Sequence, residues 1–225
     1  MGRLLFVVPL VLVACGPEEP SIDVDLGSGA GAGESFDNPP YDVKRVRLEQ
    51  TQGDNAIASG LSLACSDLNG TKENSWYRMF ALPEFGVDKP FVVNRVNFGV
   101  QTAIGAQRVK VSIGTYAGPA GAVQLDLKKI DMLGLTTIDV PEGKQQTLQA
   151  NFPSIAVPAD ANLIVEVKSE GISEDGAFFY LGATQSPELV PGYLRAPGCN
   201  TAAPTMTSAL GYSQTHLVIS VSGAY

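Results

Sequence analysis

From about Val43 onward, apolar and polar side chains alternate every second residue, and this pattern limits the fold more than any other feature. Val92, Asn94, Val96, Phe98 and Val100 alternate with Val93, Arg95 and Asn97. Val109, Val111 and Ile113 alternate with Lys110 and Ser112, and Leu163, Val165 and Val167 with Glu166 and Lys168. Near the end, Leu217, Ile219 and Val221 alternate with Ser220 and Ser222. Successive side chains of a strand point to opposite faces, so these runs predict half-buried β-strands. Five further runs predict strands: Val43–Gln50, Ser75–Leu82, Val123–Ile130, Gln145–Asn151 and Ala177–Ala183. Turn signals such as Asn69-Gly70, Asp88-Lys89-Pro90, Gly118-Pro119 and Pro141-Glu142-Gly143 separate them. No window carries a capped helical stripe, and no repeat of fixed period is present. The expectation is an all-β chain, an antiparallel β-sandwich or jelly roll, formed as one domain over residues 41–225. That length is sufficient for a hydrophobic core.

The first fourteen residues have a different composition. Arg3 precedes an unbroken apolar run, Leu4 to Ala14, interrupted in character only by Pro9. Eleven residues are too few for a membrane-spanning helix, which needs about 20, and a central proline argues against one. The run has the parts of an export signal. It ends in Leu12-Val13-Ala14-Cys15, which resembles the lipobox of bacterial lipoprotein signals. That resemblance implies cleavage before Cys15, diacylation of its thiol and acylation of the new amino terminus. Two or more acyl chains give stable anchoring, whereas one gives only marginal binding. Gly16 follows the cysteine where an aspartate would direct retention at the inner membrane, so the resemblance implies the outer membrane of a Gram-negative cell envelope.

Residues 15–40 are the lipidated terminus and a linker. The segment Gly16 to Pro40 is dominated by glycine, alanine, serine, proline and acids, with Ile22, Val24, Leu26 and Phe36 its only large apolar residues. So little apolar surface does not offset the entropy of ordering. The chain has three cysteines, Cys15, Cys65 and Cys199. Lipidation of Cys15 leaves one pair in an oxidising compartment, which predicts a Cys65–Cys199 disulfide. The alternative is two buried thiols.

Charge narrows the partners. Loss of Arg3 with the signal leaves 14 basic against 23 acidic residues, a formal −9. Such a surface repels nucleic acid, and no basic cluster offsets it. The one contact with a membrane is therefore expected through the lipid.

Several phrases carry a second resemblance: Asn74-Ser75-Trp76-Tyr77-Arg78 with Phe80, Phe85-Gly86-Val87, Ala161 to Val167, Tyr193-Leu194-Arg195-Ala196-Pro197 before Cys199, and His216 to Ile219. Together they resemble a β-sandwich accessory domain of exported bacterial surface proteins, also found appended to secreted proteases. The likeness spans most of Leu63 to Gly223 and implies an architecture without an assigned catalytic centre.

A search for chemistry agrees with that implication. The single histidine, His216, has no recognisable nucleophile arrangement around it: Gly211-Tyr212-Ser213-Gln214-Thr215 lacks the second glycine of a nucleophile elbow. One histidine and two bridged cysteines do not make a zinc site. Glu166, on a strand, and Glu170, Glu174 and Asp175, in a loop, are the carboxylates open to acid–base work, with solvated charge as the ordinary explanation. Asp67, Asn69 and Glu73 offer hard oxygen ligands after Cys65 and would suit a structural calcium, although their spacing is not that of an EF-hand. No cofactor is expected otherwise. Sugars stack on exposed aromatic rings, which makes Tyr193, Tyr116 and Tyr212 the candidate ligand-binding residues. Tyr193 is placed in a loop by Pro191-Gly192, and Trp76 and Tyr77 compete with core packing. The reading is a membrane-anchored, non-catalytic binding module with a protein or glycan partner. The alternatives are a carbohydrate-binding module proper and a structural envelope protein without a small ligand.

Overall fold

The computed structural model describes residues 43–225, except 54, 106 and 172–175. The signal, Cys15, the linker, Glu174 and Asp175 lie outside the described residues. In chain order the strands are β1 Arg45–Glu49, β2 Ser66–Asp67, β3 Gly70–Thr71, β4 Glu73–Ala81, β5 Phe91–Ile104, β6 Gln107–Tyr116, β7 Ile130–Val140 and β8 Gly143–Val157. They continue with β9 Asn162–Glu170, β10 Phe178–Leu181, β11 Ala183–Thr184, β12 Tyr193–Ala196, β13 Thr201–Met206, β14 His216–Leu217 and β15 Ile219–Ala224. Only short 3₁₀ turns interrupt them, and no helix among the described residues is long and apolar enough to cross a membrane.

Two antiparallel sheets form the sandwich. The first has β5 at its centre. β8 pairs along one edge of β5, while β15 and then β10 share the other edge, with β1 outside β15. The second sheet has the order β13-β12-β4-β9-β6-β7. Both β5–β6 and β7–β8 are connections between the sheets, so a long hairpin wraps one side. Gly134 of β7 lies flush against Ile155 of β8, where an added Cβ would come within 2.2 Å of Ile155 Cδ1.

The core follows from the alternation. Phe98 and Val100 of β5, Val111 and Ile113 of β6, Val165 and Val167 of β9, and Val221 of β15 are all fully buried between the sheets. Trp76 packs edge-on against Phe179, with ring centroids 5.6 Å apart, and donates its indole N–H to Leu63 O at 2.6 Å. Truncating a side chain such as Phe98 to alanine would cost about 3–5 kcal/mol. The Cys65–Cys199 disulfide is present, with Cα atoms 5.8 Å apart. It ties the segment before β2 to the turn between β12 and β13.

Two expected features are corrected. The segment predicted as a strand at Val123–Ile130 is instead a strap ending in a 3₁₀ turn, Leu127–Lys129, whose first N–H groups are capped by Asp126 Oδ1 on Lys128 N at 3.0 Å. The strand proper starts at Ile130. Tyr193, expected in a loop, opens strand β12: the Pro191-Gly192 turn is real, but pairing begins at the next residue, opposite Tyr77 and Met206.

Candidate functional site

Each sheet has an outer face, and a strap crosses each. On the six-stranded sheet, Trp76, Arg78 and Phe80 of β4 face inward, so Tyr77 and Met79 face outward. Residues 117–129 lie over them, with Leu125 N bonded to Pro204 O at 2.9 Å and Met206 N to Val123 O at 2.9 Å. Underneath, Tyr77, Met79, Tyr116, Leu125, Ile164 and Tyr193 form a second small core. Tyr116 and Tyr193 are therefore not open platforms: Tyr193 is fully buried and Tyr116 nearly so. Tyr212 is half-buried and packs on the main core.

Burial shapes the chemistry of this small core. Tyr77 donates to Glu166 Oε1 at 2.7 Å, and burial together with the carboxylate pushes its phenol far above the ordinary value. Burial pushes Tyr193 up to about 12, with neighbouring Tyr116 adding to the rise, and Tyr193 Oη has no hydrogen-bond partner. Both phenols are thus held neutral.

Beyond the strap, the same face carries an ionic array. Lys110 pairs with Glu170 at 2.5 Å, Lys168 lies 3.8 Å from Glu170 and from Glu73, and Arg195 pairs with Glu73 at 2.5 Å. The Lys110 hydrogen bond and charge hold Glu170 below the usual carboxylate range. The acidic residues considered for calcium also face protein cations. Asp67 pairs with Lys72 at 2.8 Å and accepts from Asn69 N at 2.9 Å, while Glu73 belongs to the array. Among the described residues, no three histidine, cysteine or acidic side chains converge as metal ligands.

His216 joins a buried clasp that the sequence did not indicate. Arg78, with no exposed side-chain surface, binds Glu188 through Nη1 and also donates to Val190 O at 2.9 Å and to Leu217 O. His216 Nδ1 lies 2.8 Å from the other Glu188 oxygen. Desolvation lowers the Arg78 pKa and Glu188 opposes that loss; a guanidinium stays charged throughout. Arg78 donates to one carboxylate oxygen and His216 lies against the other, and the cluster joins β4 to β14 and to the segment between β11 and β12. This is an arrangement for holding segments together.

The outer face of the five-stranded sheet is crossed by a shorter strap at Ile57. Gly99 and Gly182 make room for it: a Cβ on Gly99 would approach Ile57 Cγ1 to 2.9 Å, and one on Gly182 would approach Ile57 Cγ2 to 3.0 Å. Ala58 N bonds to Ala183 O at 2.8 Å, and Gln145 Nε2 to Ile57 O at 3.1 Å. On the β10 side of this strap, Phe178 and Tyr180 point outward, because Phe179 and Leu181 between and after them are fully buried. Their rings are nearly parallel, 13° apart with centroids at 5.8 Å. Both are partly exposed. They are the two aromatic side chains, among the described residues, that belong to neither core cluster and pack against neither. Tyr180 Oη donates to Ser66 Oγ at 3.2 Å. Ile104 and Thr102 lie across from them on β5, and Lys144 of β8 lies across from Thr102. Sequence reasoning placed this strand but overlooked its outward aromatics. The run Phe178-Phe179-Tyr180-Leu181 has no polar face, and that was the available signal.

No family model matches the chain, and no curated protein matches it. Among solved structures, it is similar to the cysteine protease and lectin-like domains of Cwp84, a surface layer associated protein of Clostridium difficile. The TM-score is 0.46 and the identity 11%, covering 68% of this chain and 32% of that one. The chain thus spans about a third of that protein's length.

Proposed function

We propose that this protein is a membrane-tethered, non-catalytic binding module of the bacterial cell envelope and that its ligand is a glycan, stacked on Phe178 and Tyr180. The observation that carries the reading is the placement of these two rings. Every other described aromatic is used in a core or packs against one, whereas these two stack on each other at the surface, with the Tyr180 hydroxyl bonded to Ser66 Oγ. An exposed aromatic pair is apolar surface that folding did not consume, and sugar C–H faces match it. The lipobox-like Leu12 to Cys15 supports a lipid anchor at Cys15, in the outer membrane, with residues 16–40 as tether. The described chain enters at β1, an edge of the five-stranded sheet.

Residues 41–225 contain every described strand and both core clusters. Thermal unfolding of that fragment against envelope polysaccharides, with and without calcium, tests the proposal. A glycan at a hundredfold excess over Kd stabilises the native state by about 2.7 kcal/mol, or roughly 5–10 °C for a domain of this size. The shift should disappear in Phe178→Ala/Tyr180→Ala. A shift that survives the double substitution, or none with any glycan, would reject the assignment. One observation favours a second reading, a protein partner. The edge strand β7 exposes Met132, Leu133 and Leu135, and an apolar edge is a template for strand pairing. A stable oligomer or co-purifying protein lost on Leu135→Lys would support it.

A further inference from the structure

On the other side of the Ile57 strap, toward β1, the five-stranded sheet presents a different surface. Cross-strand register puts Arg47, Ser222, Arg95 and Asn151 in one row over β1, β15, β5 and β8. The adjacent row is Glu49, Ser220, Asn97 and Gln149. All eight lie on the outer face, since Leu48, Val221, Val96, Phe98 and Ala150 between them are buried in the core; Ser220 and Asn97 are covered, and the other six reach the surface. Neighbouring strands are about 4.8 Å apart, which sets Arg47 and Arg95 about 10 Å from each other at the backbone.

The grid is internally braced. Arg95 Nε donates to Asn151 Oδ1 at 3.2 Å, Arg47 Nε to Ser220 Oγ at 3.2 Å, and Asn97 Nδ2 to Ser222 Oγ at 3.4 Å; Arg47 also pairs with Glu49. A guanidinium carries five N–H donors, and these contacts use Nε of each arginine, which leaves the Nη donors for a ligand. With Arg45 on the same face of β1, three arginines stand against Glu49, a local +2 on a chain whose formal charge is −8. The exposed amides of Asn151 and Gln149 suit sugar hydroxyls, and guanidinium groups suit carboxylates through bidentate contacts.

We propose that this grid binds a carboxylate-bearing polysaccharide, with Arg47 and Arg95 as its anion contacts. The inference rests on the glycan reading above and names its ligand as an acidic chain. Arg95 and Thr102, the latter beside the aromatic pair, are seven residues apart on β5. This places the two subsites about 23 Å apart along one face, a span a polymer bridges and a single sugar does not.

The test is a set of binding isotherms for residues 41–225 with polygalacturonate, with neutral dextran and with phosphatidylglycerol vesicles, each at low and high salt. The expected result is binding of polygalacturonate that weakens with salt and falls about tenfold in Arg95→Gln, the scale of one charge-assisted contact. Arg47→Gln should act similarly, and circular dichroism should show both variants folded, since both positions are exposed. Dextran binding that depends on Phe178 and Tyr180, with no preference for polygalacturonate, would overturn this inference and leave the glycan reading intact. No glycan binding would overturn both. Arginine-dependent capture of the vesicles without polygalacturonate binding would also overturn it, assigning the face to anionic lipid.

Discussion

Replacing Glu188 with glutamine would remove one negative charge from the Arg78 clasp with almost no change in shape. Side-chain exposure is 0% for Arg78 and 6% for Glu188, so water does not compensate the guanidinium. Val190 O and Leu217 O still accept from it, but carbonyl dipoles do not replace a carboxylate. Breaking a buried ion pair from one side costs about 3–5 kcal/mol. For a domain of this size the melting temperature should fall by roughly 6–20 °C. Urea unfolding with an unchanged m-value is the assay, because a constant slope ascribes the loss to native stability. Arg78→Met/Glu188→Leu should cost less than the two single substitutions combined, as apolar replacement removes both charges together. A loss below about 1 kcal/mol in Glu188→Gln, or a double variant worse than the sum, would refute the clasp as a desolvated pair.

The remaining predictions concern the small core, the disulfide and the anchor. Tyr193 Oη is buried without a partner, so Tyr193→Phe should be neutral or stabilising by about 1 kcal/mol in urea unfolding. The Tyr193 phenol is raised to about 12 in the fold. Below pH 10 it is neutral in both states, whereas between about 10 and 12 the unfolded chain ionises first. Stability should then fall with rising pH by at most about 3 kcal/mol, and Tyr193→Phe should flatten that fall. Reduction of the disulfide opens a loop of 134 residues and should lower stability by about 5 kcal/mol in the chain-entropy relation, measured as the difference between oxidised and reduced unfolding curves. Cys15→Ser should abolish incorporation of radiolabelled palmitate and release the protein from the membrane fraction; retention of both would remove the lipid anchor from the account.

The sandwich was legible because its central strands bury one face and wet the other, which writes the alternation into β5, β6, β9 and β15. Where that condition fails, so does the reading. β7 lies at a sheet edge with Met132, Leu133 and Leu135 all exposed, and its pairing with β6 contains a bulge between Ile113 and Gly114, so no regular period survives. β13 contains Pro204, whose carbonyl accepts from Leu125 N of the strap while its missing N–H is tolerated at the end of the sheet order. The strap over residues 117–129 has apolar residues that look strand-like, but their function is to cover Tyr77 and Tyr193. Hence Tyr116 and Tyr193, sugar platforms by sequence, are core residues beneath a segment whose path is not written locally, while Tyr212 packs on the main core. In the Arg78–Glu188–His216 clasp Arg78 is 110 positions from Glu188, and no spacing rule reaches that far. Phe178 and Tyr180 lie within a predicted strand, but the run Phe178 to Leu181 has no polar face, so alternation alone does not say which pair points outward.

Affinity electrophoresis through gels containing envelope polysaccharide tests the central claim most directly, comparing wild-type residues 41–225 with Phe178→Ala/Tyr180→Ala. The account predicts that the wild type is retarded by at least one glycan and that the double variant migrates as in a blank gel. Equal retardation of the two, or retardation of neither, would contradict it.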